Sequence, residues 1–398
     1  MNELRRNIRE AILSRIKTYQ NDILDFTKAL ISIPTENPPG SEYKQCANAI
    51  VKTLSNIGLE YSRHGDCIIA YFGTDRRTIY LHGHYDTVPA SSKDQFEPYV
   101  RSGKLYGRGS SDMKGGLASM IFAVKAVKEC GIKLNGRIGL TIVPDEETGG
   151  LRGSSYLVAN KLLGSDGVGM LTPEPTGGVI WNANRGAISL RVIIKGKSAH
   201  AGLQHQGTNA FEQMLTVANA LTKLERKVKR RTTKFKIEPE AATHSILLLG
   251  GQVEGGTNFN AVPAECSFTV DRRTNPEEDL LTEKNALLSV LDGQRKNGIN
   301  LKSESLQEGW SASSSEVSPL ARALSQTIEE VQGKPPPFEM CPGLLETRFY
   351  ARRGIPAYAY GPGLLSVSHG PNEYVQTESI FKCAEIYALT AVRLLSSY

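Results

Sequence analysis

The chain is poor in the features that would place it at once. Tryptophan occurs twice and aromatic residues make up 7% of 398 positions. No basic face interleaved with aromatic side chains therefore marks a nucleic-acid surface. No apolar run approaches the roughly 20 residues that cross a bilayer. The six cysteines, Cys46, Cys67, Cys130, Cys266, Cys341 and Cys383, lie far apart and form no Cys-x-x-Cys pair. That excludes a zinc-ribbon or dithiol motif and reads as small buried hydrophobes in a reducing compartment. The stretch from Met1 to Arg6 lacks the apolar centre of a secretory signal, so an amphipathic first helix and a cytoplasmic protein are expected. Charge of one sign is not concentrated either. The net charge of +6, from 47 basic and 41 acidic residues, is thinly spread. Neither nucleic acid nor membrane is an expected partner, and the pull on an anionic substrate is weak at physiological salt.

What is present is a normal globular composition, 40% hydrophobic and 22% charged, in a chain too long for one ordinary core. Helical spacing over 22–31, 46–59 and 115–130 alternates with apolar strand-like runs at 68–72, 78–82, 137–143 and 169–172. This predicts an α/β domain with a mostly parallel sheet. From Gly186 the order becomes strand 187–194, helix 209–224, strands 245–253 and 265–272, helix 276–291 and a strand near Leu301. That β-α-β-β-α-β order is ferredoxin-like. The expected organisation is a catalytic domain, 1–185 and 308–398, interrupted by an inserted α+β lid or dimerisation domain, 186–307. Where the chain returns, Ser318 with Pro319 behind it reads as a helix start.

Five potential metal ligands sit in separate local contexts. His84 follows an apolar strand, with Asp86 two residues on, placed to accept a hydrogen bond from the second ring nitrogen. Asp112 stands among glycines, in Gly107-Arg108-Gly109-Ser110-Ser111-Asp112-Met113-Lys114-Gly115-Gly116. An aspartate there is an ordinary helix cap or a carboxylate shared by two metals. Glu146 and Glu147 follow a strand and precede a glycine turn, and adjacent side chains point different ways. We assign Glu147 to metal and Glu146 to the general base and acid. Glu174, in Thr172-Pro173-Glu174-Pro175-Thr176, and His369, in Ser368-His369-Gly370-Pro371-Asn372-Glu373, complete the set. Each alone would be a solvated or structural residue. Together, two imidazoles and three carboxylates make two ligand sets only if Asp112 is shared. His82 reads as structural.

These segments, in this order, resemble the M20 metallopeptidase family over nearly the whole chain. Glu174 with Pro175-Thr176, and Asp271-Arg272-Arg273 after Asn260-Ala261-Val262-Pro263, resemble the acetylornithine deacetylase and succinyl-diaminopimelate desuccinylase branch. The resemblance implies His84 and Glu174 on one cation, Glu147 and His369 on the other, and Asp112 between them. It implies that Asp86 orients His84, that Glu146 is the base and that the Asp112–Met113 peptide is cis. It also implies that His200, in Gly196-Lys197-Ser198-Ala199-His200-Ala201-Gly202, stabilises an oxyanion and in dimeric members reaches the partner's site. Asn260 and Arg273 would hold substrate, and Arg348 its carboxylate. The cofactors implied are two divalent ions of zinc type, with cobalt or manganese able to substitute. The expected activity is hydrolysis of the amide bond of N-acyl amino acids by metal-activated water. A dipeptidase or carboxypeptidase is the alternative, and a non-catalytic metal-dependent binding protein a third reading. A homodimer is expected. One stretch departs from the family pattern: Gly343-Leu344-Leu345-Glu346-Thr347-Arg348 places bulky leucines where small residues are usual. An apolar wall of that kind favours a hydrophobic or aromatic acyl group.

Overall fold

The computed structural model describes residues 3–396. The chain divides into two compact units. The first comprises 1–182, 314–338 and 346–398, and the second 183–313 and 339–345.

The first unit is built on a twisted sheet whose four central strands run parallel: Arg137–Val143, Thr78–His84, Gly167–Thr172 and Ala357–Ala359, neighbours in that order. Antiparallel strands flank them, Tyr61–His64 and Cys67–Gly73 on one side and Ile180–Asn184 on the other. Strands covered on both faces need apolar side chains at successive positions, not alternate ones. Accordingly, every residue of Thr78–His84 is buried, and so is all of Arg137–Val143 after its first residue. The helix Gly115–Glu129 is buried along nearly its whole length and packs against the last helix, Thr377–Leu395. Ser318 does start a helix, Pro319–Gln332, its hydroxyl accepting from the N–H of Ala321 at 3.0 Å. A small antiparallel sheet of Tyr99–Arg101, Lys104–Tyr106 and Tyr374–Gln376 completes the unit.

The second unit is a four-stranded antiparallel sheet ordered Ile246–Gly255, Glu265–Thr274, Gly186–Lys195, Leu301–Gly309. Helices Ala210–Val228 and Leu280–Lys296 pack on it through Val217, Leu221, Leu287 and Leu291. The β-α-β-β-α-β order is the expected one. The two compact units do not follow the expected boundaries throughout: 183–185 and 308–313 group with the second unit. Residues 339–345, placed in the catalytic domain by the sequence analysis, belong to the second unit. There the Met340 N–H donates to the Lys236 carbonyl at 2.6 Å and the Arg185 N–H to Gly343 at 3.0 Å, while Met340 packs with Ala183 and Ile237.

Candidate metal centre

Three neighbouring parallel strands deliver the first candidate ligands at their C-terminal ends, where open α/β sheets carry their sites. Thr78–His84 ends on His84 itself, beside Val143 in the register. Arg137–Val143 runs through Pro144 into Asp145, which adopts φ +73 and turns the chain into Glu146 and Glu147. Gly167–Thr172 is followed by Pro173 and Glu174. Asp112 lies in an irregular turn, Ser110–Lys114, with non-helical angles of φ −126 and ψ 96. It is therefore not a helix cap, since the helix begins three residues later at Gly115. The Asp112–Met113 peptide is cis, and Met113 Sδ accepts the His84 N–H at 3.1 Å. His369 sits in a loop with φ +64.

These chain-distant residues form two groups with Asp112 common to both: His84, Asp112 and Glu174, and Asp112, Glu147 and His369. His84 Nε2 lies 3.3 Å from Asp112 Oδ1. His369 Nε2 lies 3.4 Å from Asp112 Oδ2 and 3.3 Å from Glu147 Oε2. Two ligands about 2.0–2.2 Å from one tetrahedral cation stand about 3.3–3.5 Å apart, so these separations suit ligands facing a shared ion. Asp112 Oδ1 and Glu174 Oε1 are both buried with no hydrogen-bond partner. Leaving such oxygens bare is costly unless a cation meets them. The mixed nitrogen and oxygen donors suit a zinc-type ion.

The supporting hydrogen bonds converge on Asp86. Its carbonyl lies 3.1 Å and its carboxylate 3.3 Å from His84 Nδ1, leaving Nε2 directed at Asp112. The same carboxylate accepts the N–H groups of Glu146 and Glu147, each at 3.2 Å, and an amide hydrogen of Asn37 at 2.9 Å. Asn37 also reaches Asp145 and Thr148, so it pins the turn that carries the glutamates. Electrostatics follow from crowding. Burial pushes Asp112 upward, but the two imidazoles outweigh it and hold its carboxyl well below the usual range. The Asp112 and Glu147 carboxylates in turn raise His369 to about 11. Burial, reinforced by the neighbouring acids, holds Glu174 and Glu146 well above the ordinary carboxylate value. His84, Glu147, Glu346 and Arg348 are the charges that Glu146 feels most after burial.

The sequence reading missed Glu346 and gave His82 no partner. The structure pairs them: His82 Nε2 lies 2.5 Å from Glu346 Oε2, both buried, with Tyr350 Oη and Ser154 Oγ also on the ring. The carboxylate in the departing segment Gly343–Arg348 was the available signal. Arg348 is buried in the first unit, one Nη donating to the Gly149 carbonyl at 3.2 Å. Glu346, Glu146 and Glu174 are its charged neighbours, so in this conformation it serves as their countercharge. His200, Asn260 and Arg273 all lie in the second unit. His200 bridges Ala261 and its Nδ1 accepts the Gly202 N–H, while Arg273 is paired with Asp271 at 2.8 Å.

An α/β unit that gathers two candidate carboxylate–imidazole groups beside adjacent strand ends, in a chain with an inserted ferredoxin-like unit, fits a metal-dependent hydrolase. The family model "Peptidase family M20/M25/M40" matches residues 80–393, and the chain belongs to that family. It is a metal-binding enzyme that hydrolyses amide bonds. A probable succinyl-diaminopimelate desuccinylase of Staphylococcus aureus is 24% identical, over 85% of this chain and 88% of its own. In fold, human carnosine dipeptidase 1 matches with a TM-score of 0.79 at 16% identity, covering 97% of this chain and 98% of its own. The YXEP protein of Bacillus subtilis, described as a dinuclear metal binding peptidase, matches with a TM-score of 0.69 at 15% identity, covering 96% and 100%. Among the described residues, no helix is long and apolar enough to cross a membrane.

Proposed function

We propose that this chain is a dinuclear hydrolase of small N-acyl amino acids. The observation that carries the reading is Asp112, whose two carboxylate oxygens face different histidines at 3.3 and 3.4 Å. His84 and Glu174 would hold one cation, Glu147 and His369 the other, with Asp112 shared. Zinc suits these donors, and cobalt or manganese would substitute. When bound, the cations supply Lewis acidity toward the amide carbonyl and make water acidic enough to deprotonate near neutral pH.

This chain's own residues do the rest. Glu146 takes a proton from the attacking water and returns it to the leaving nitrogen. Asp86 fixes the His84 ring through Nδ1, so that Nε2 would be the atom offered to a cation. His200 stabilises the oxyanion, and Asn260, Arg273 and Arg348 hold the substrate, the roles that the family resemblance implies for them. Leu344 and Leu345 favour an apolar acyl group. A dipeptidase is the second reading, supported by the fold likeness to carnosine dipeptidase 1. The assay is turnover of N-acetyl, N-succinyl and N-aroyl amino acids against dipeptides, with zinc, cobalt or manganese added. Faster cleavage of apolar acyl substrates is expected. Preference for dipeptides would move the assignment to the second reading, and preference for succinyl would reject the apolar wall.

The protein is further proposed to be cytoplasmic, which its free cysteines support, and to dimerise through the second unit. There Ile246–Gly255 is an edge strand carrying exposed Ile246, Leu248 and Val253, a surface suited to a second copy.

A further inference from the structure

The two ligand groups are not equally well anchored. The His84 side chain is 2% exposed and is fixed by Asp86, whereas that of His369 is 48% exposed. Packing alone does not hold the second imidazole, so its position depends on the main chain that carries it. Behind that loop lies a buried ion pair that the proposed chemistry does not use. Arg108 Nη1 meets Glu373 Oε2 at 2.6 Å, and both side chains are 1% exposed. The guanidinium is also a clamp on backbone carbonyls: Nη2 donates to His369 at 3.2 Å and Pro89 at 3.3 Å, and Nη1 to Gly370 at 3.2 Å. The other oxygen of Glu373, Oε1, accepts the N–H groups of Ser111 at 2.9 Å and Asp112 at 3.1 Å. One ion pair thus ties the turn of the shared aspartate to the loop of the exposed histidine, across 265 residues of sequence.

We infer that Arg108 and Glu373 are positioning residues that set the distance between Asp112 and His369 and so determine whether the second cation is held. The inference rests on the dinuclear reading. It assigns the pair to the Asp112–Glu147–His369 group and not to the His84 group, which keeps its own support. The planar fork is essential, because an ammonium reaches only part of the carbonyl set. Substituting one partner alone would strand a buried charge and confuse folding with positioning. Arg108→Met combined with Glu373→Gln removes both charges together and leaves an amide oxygen for the Ser111 and Asp112 N–H groups.

The experiment titrates zinc and cobalt into the metal-stripped full chain by calorimetry, with the visible cobalt spectrum as a second readout. The parent should bind two ions. The double variant should remain folded without metal, at a lower melting temperature because three backbone carbonyls lose their donor, and bind the first ion within a few-fold of the parent. It should bind the second about 10–100-fold more weakly. Adding His369→Ala to the double variant should then leave the first ion's affinity unchanged, whereas adding His84→Ala should abolish that tight binding. Arg108→Lys, which keeps both charges and loses only the fork, should weaken the second ion alone, by about tenfold. Two ions at parental affinity in the folded double variant would overturn the inference, as would loss of the His84-side ion first. Unfolding of both variants without metal would overturn it too, because the pair would then be a fold element. A parent that binds fewer than two ions would instead sink the dinuclear reading, and the parental titration alone reveals that.

Discussion

Replacing Asp112 with Asn is the sharpest test of the shared ligand. The carboxylate offers one oxygen to each histidine, at 3.3 and 3.4 Å. A carboxamide keeps the shape but offers one oxygen and one NH2, and the NH2 group has no lone pair for a cation. Whichever way the amide turns, one group loses a ligand and the other keeps a weaker, neutral one. Four-ligand zinc sites bind with about 10–16 kcal/mol, hence about 2.5–4 kcal/mol per ligand. At about 1.4 kcal/mol per tenfold, the deprived group should bind about two to three orders of magnitude more weakly. Protons compete for the same nitrogens, since His369 is raised to about 11 by Asp112 and Glu147. Metal affinity should therefore rise with pH in both proteins, whereas the missing ligand is missing at every pH. Calorimetric titration of metal-stripped protein at two pH values, with metal content checked by elemental analysis, reads both effects. The variant should retain one tightly held ion per chain. Two ions at parental affinity at either pH would show that Asp112 is not shared.

Glu146→Gln should keep both ions and lower kcat by about 10²–10⁴-fold, or about 3–5 kcal/mol of barrier; parental turnover would remove Glu146 as the base. Gly361→Ala should displace the Glu174 loop, because a Cβ there would stand 2.2 Å from the Pro173 carbonyl and 2.4 Å from that of Glu174. The expected result is weaker binding on the His84 side with the His369 side spared, read by metal titration, and unchanged affinities would refute it. Glu385 offers a pH test away from the site, since burial and then Glu378 raise its carboxyl to about 7. A raised folded value means stability present below the unfolded value and lost as pH rises through about 7. Glu385→Gln should thus match the parent in melting temperature near about pH 4, gain on it as pH rises toward about 7, and keep a constant advantage above that. An offset constant over the whole range would contradict the sign.

Most of the candidate ligands could be proposed from the sequence because they close a local signal of their own. An apolar strand ends at His84, another precedes Glu146 and Glu147, a third precedes Glu174, and a glycine-rich turn surrounds Asp112. The second unit was legible from its order of periods, since two-residue and helical spacing alternate in only a few stable ways. Long-range pairing left no such trace. Glu346 finds His82 264 residues away and Arg108 finds Glu373 265 residues away, and no local pattern announces either pair. Strands as short as Ala357–Ala359 are too brief to show a period. The return of 339–345 to the second unit is a tertiary choice, made by the burial of Met340 against Ala183 and Ile237, where composition gives no boundary.

Charge balance links these parts. Asp112, Glu146, Glu147 and Glu174 interact closely enough to perturb one another. Arg348 is their buried guanidinium, but Glu346 is among its charged neighbours as well. With Arg348 set against Glu346 and the histidines neutral, these four carboxylates carry four negative charges, with the buried Asp86 a further one beside His84, and two divalent cations would supply four positive ones. Without the cations the same fold must protonate imidazoles and carboxyls to bury the cluster, which is the direction in which His84, His369, Glu146 and Glu174 are shifted. The raised proton affinity of Glu146 is therefore a property of the metal-free chain. Nearby cations would favour its ionised form and bring it down toward the range in which a carboxylate can both take and return a proton. On the proposed assignment, ligand set and base form one electrostatic unit: a substitution that empties either metal position should also mistune Glu146, which feels His84 and Glu147 directly.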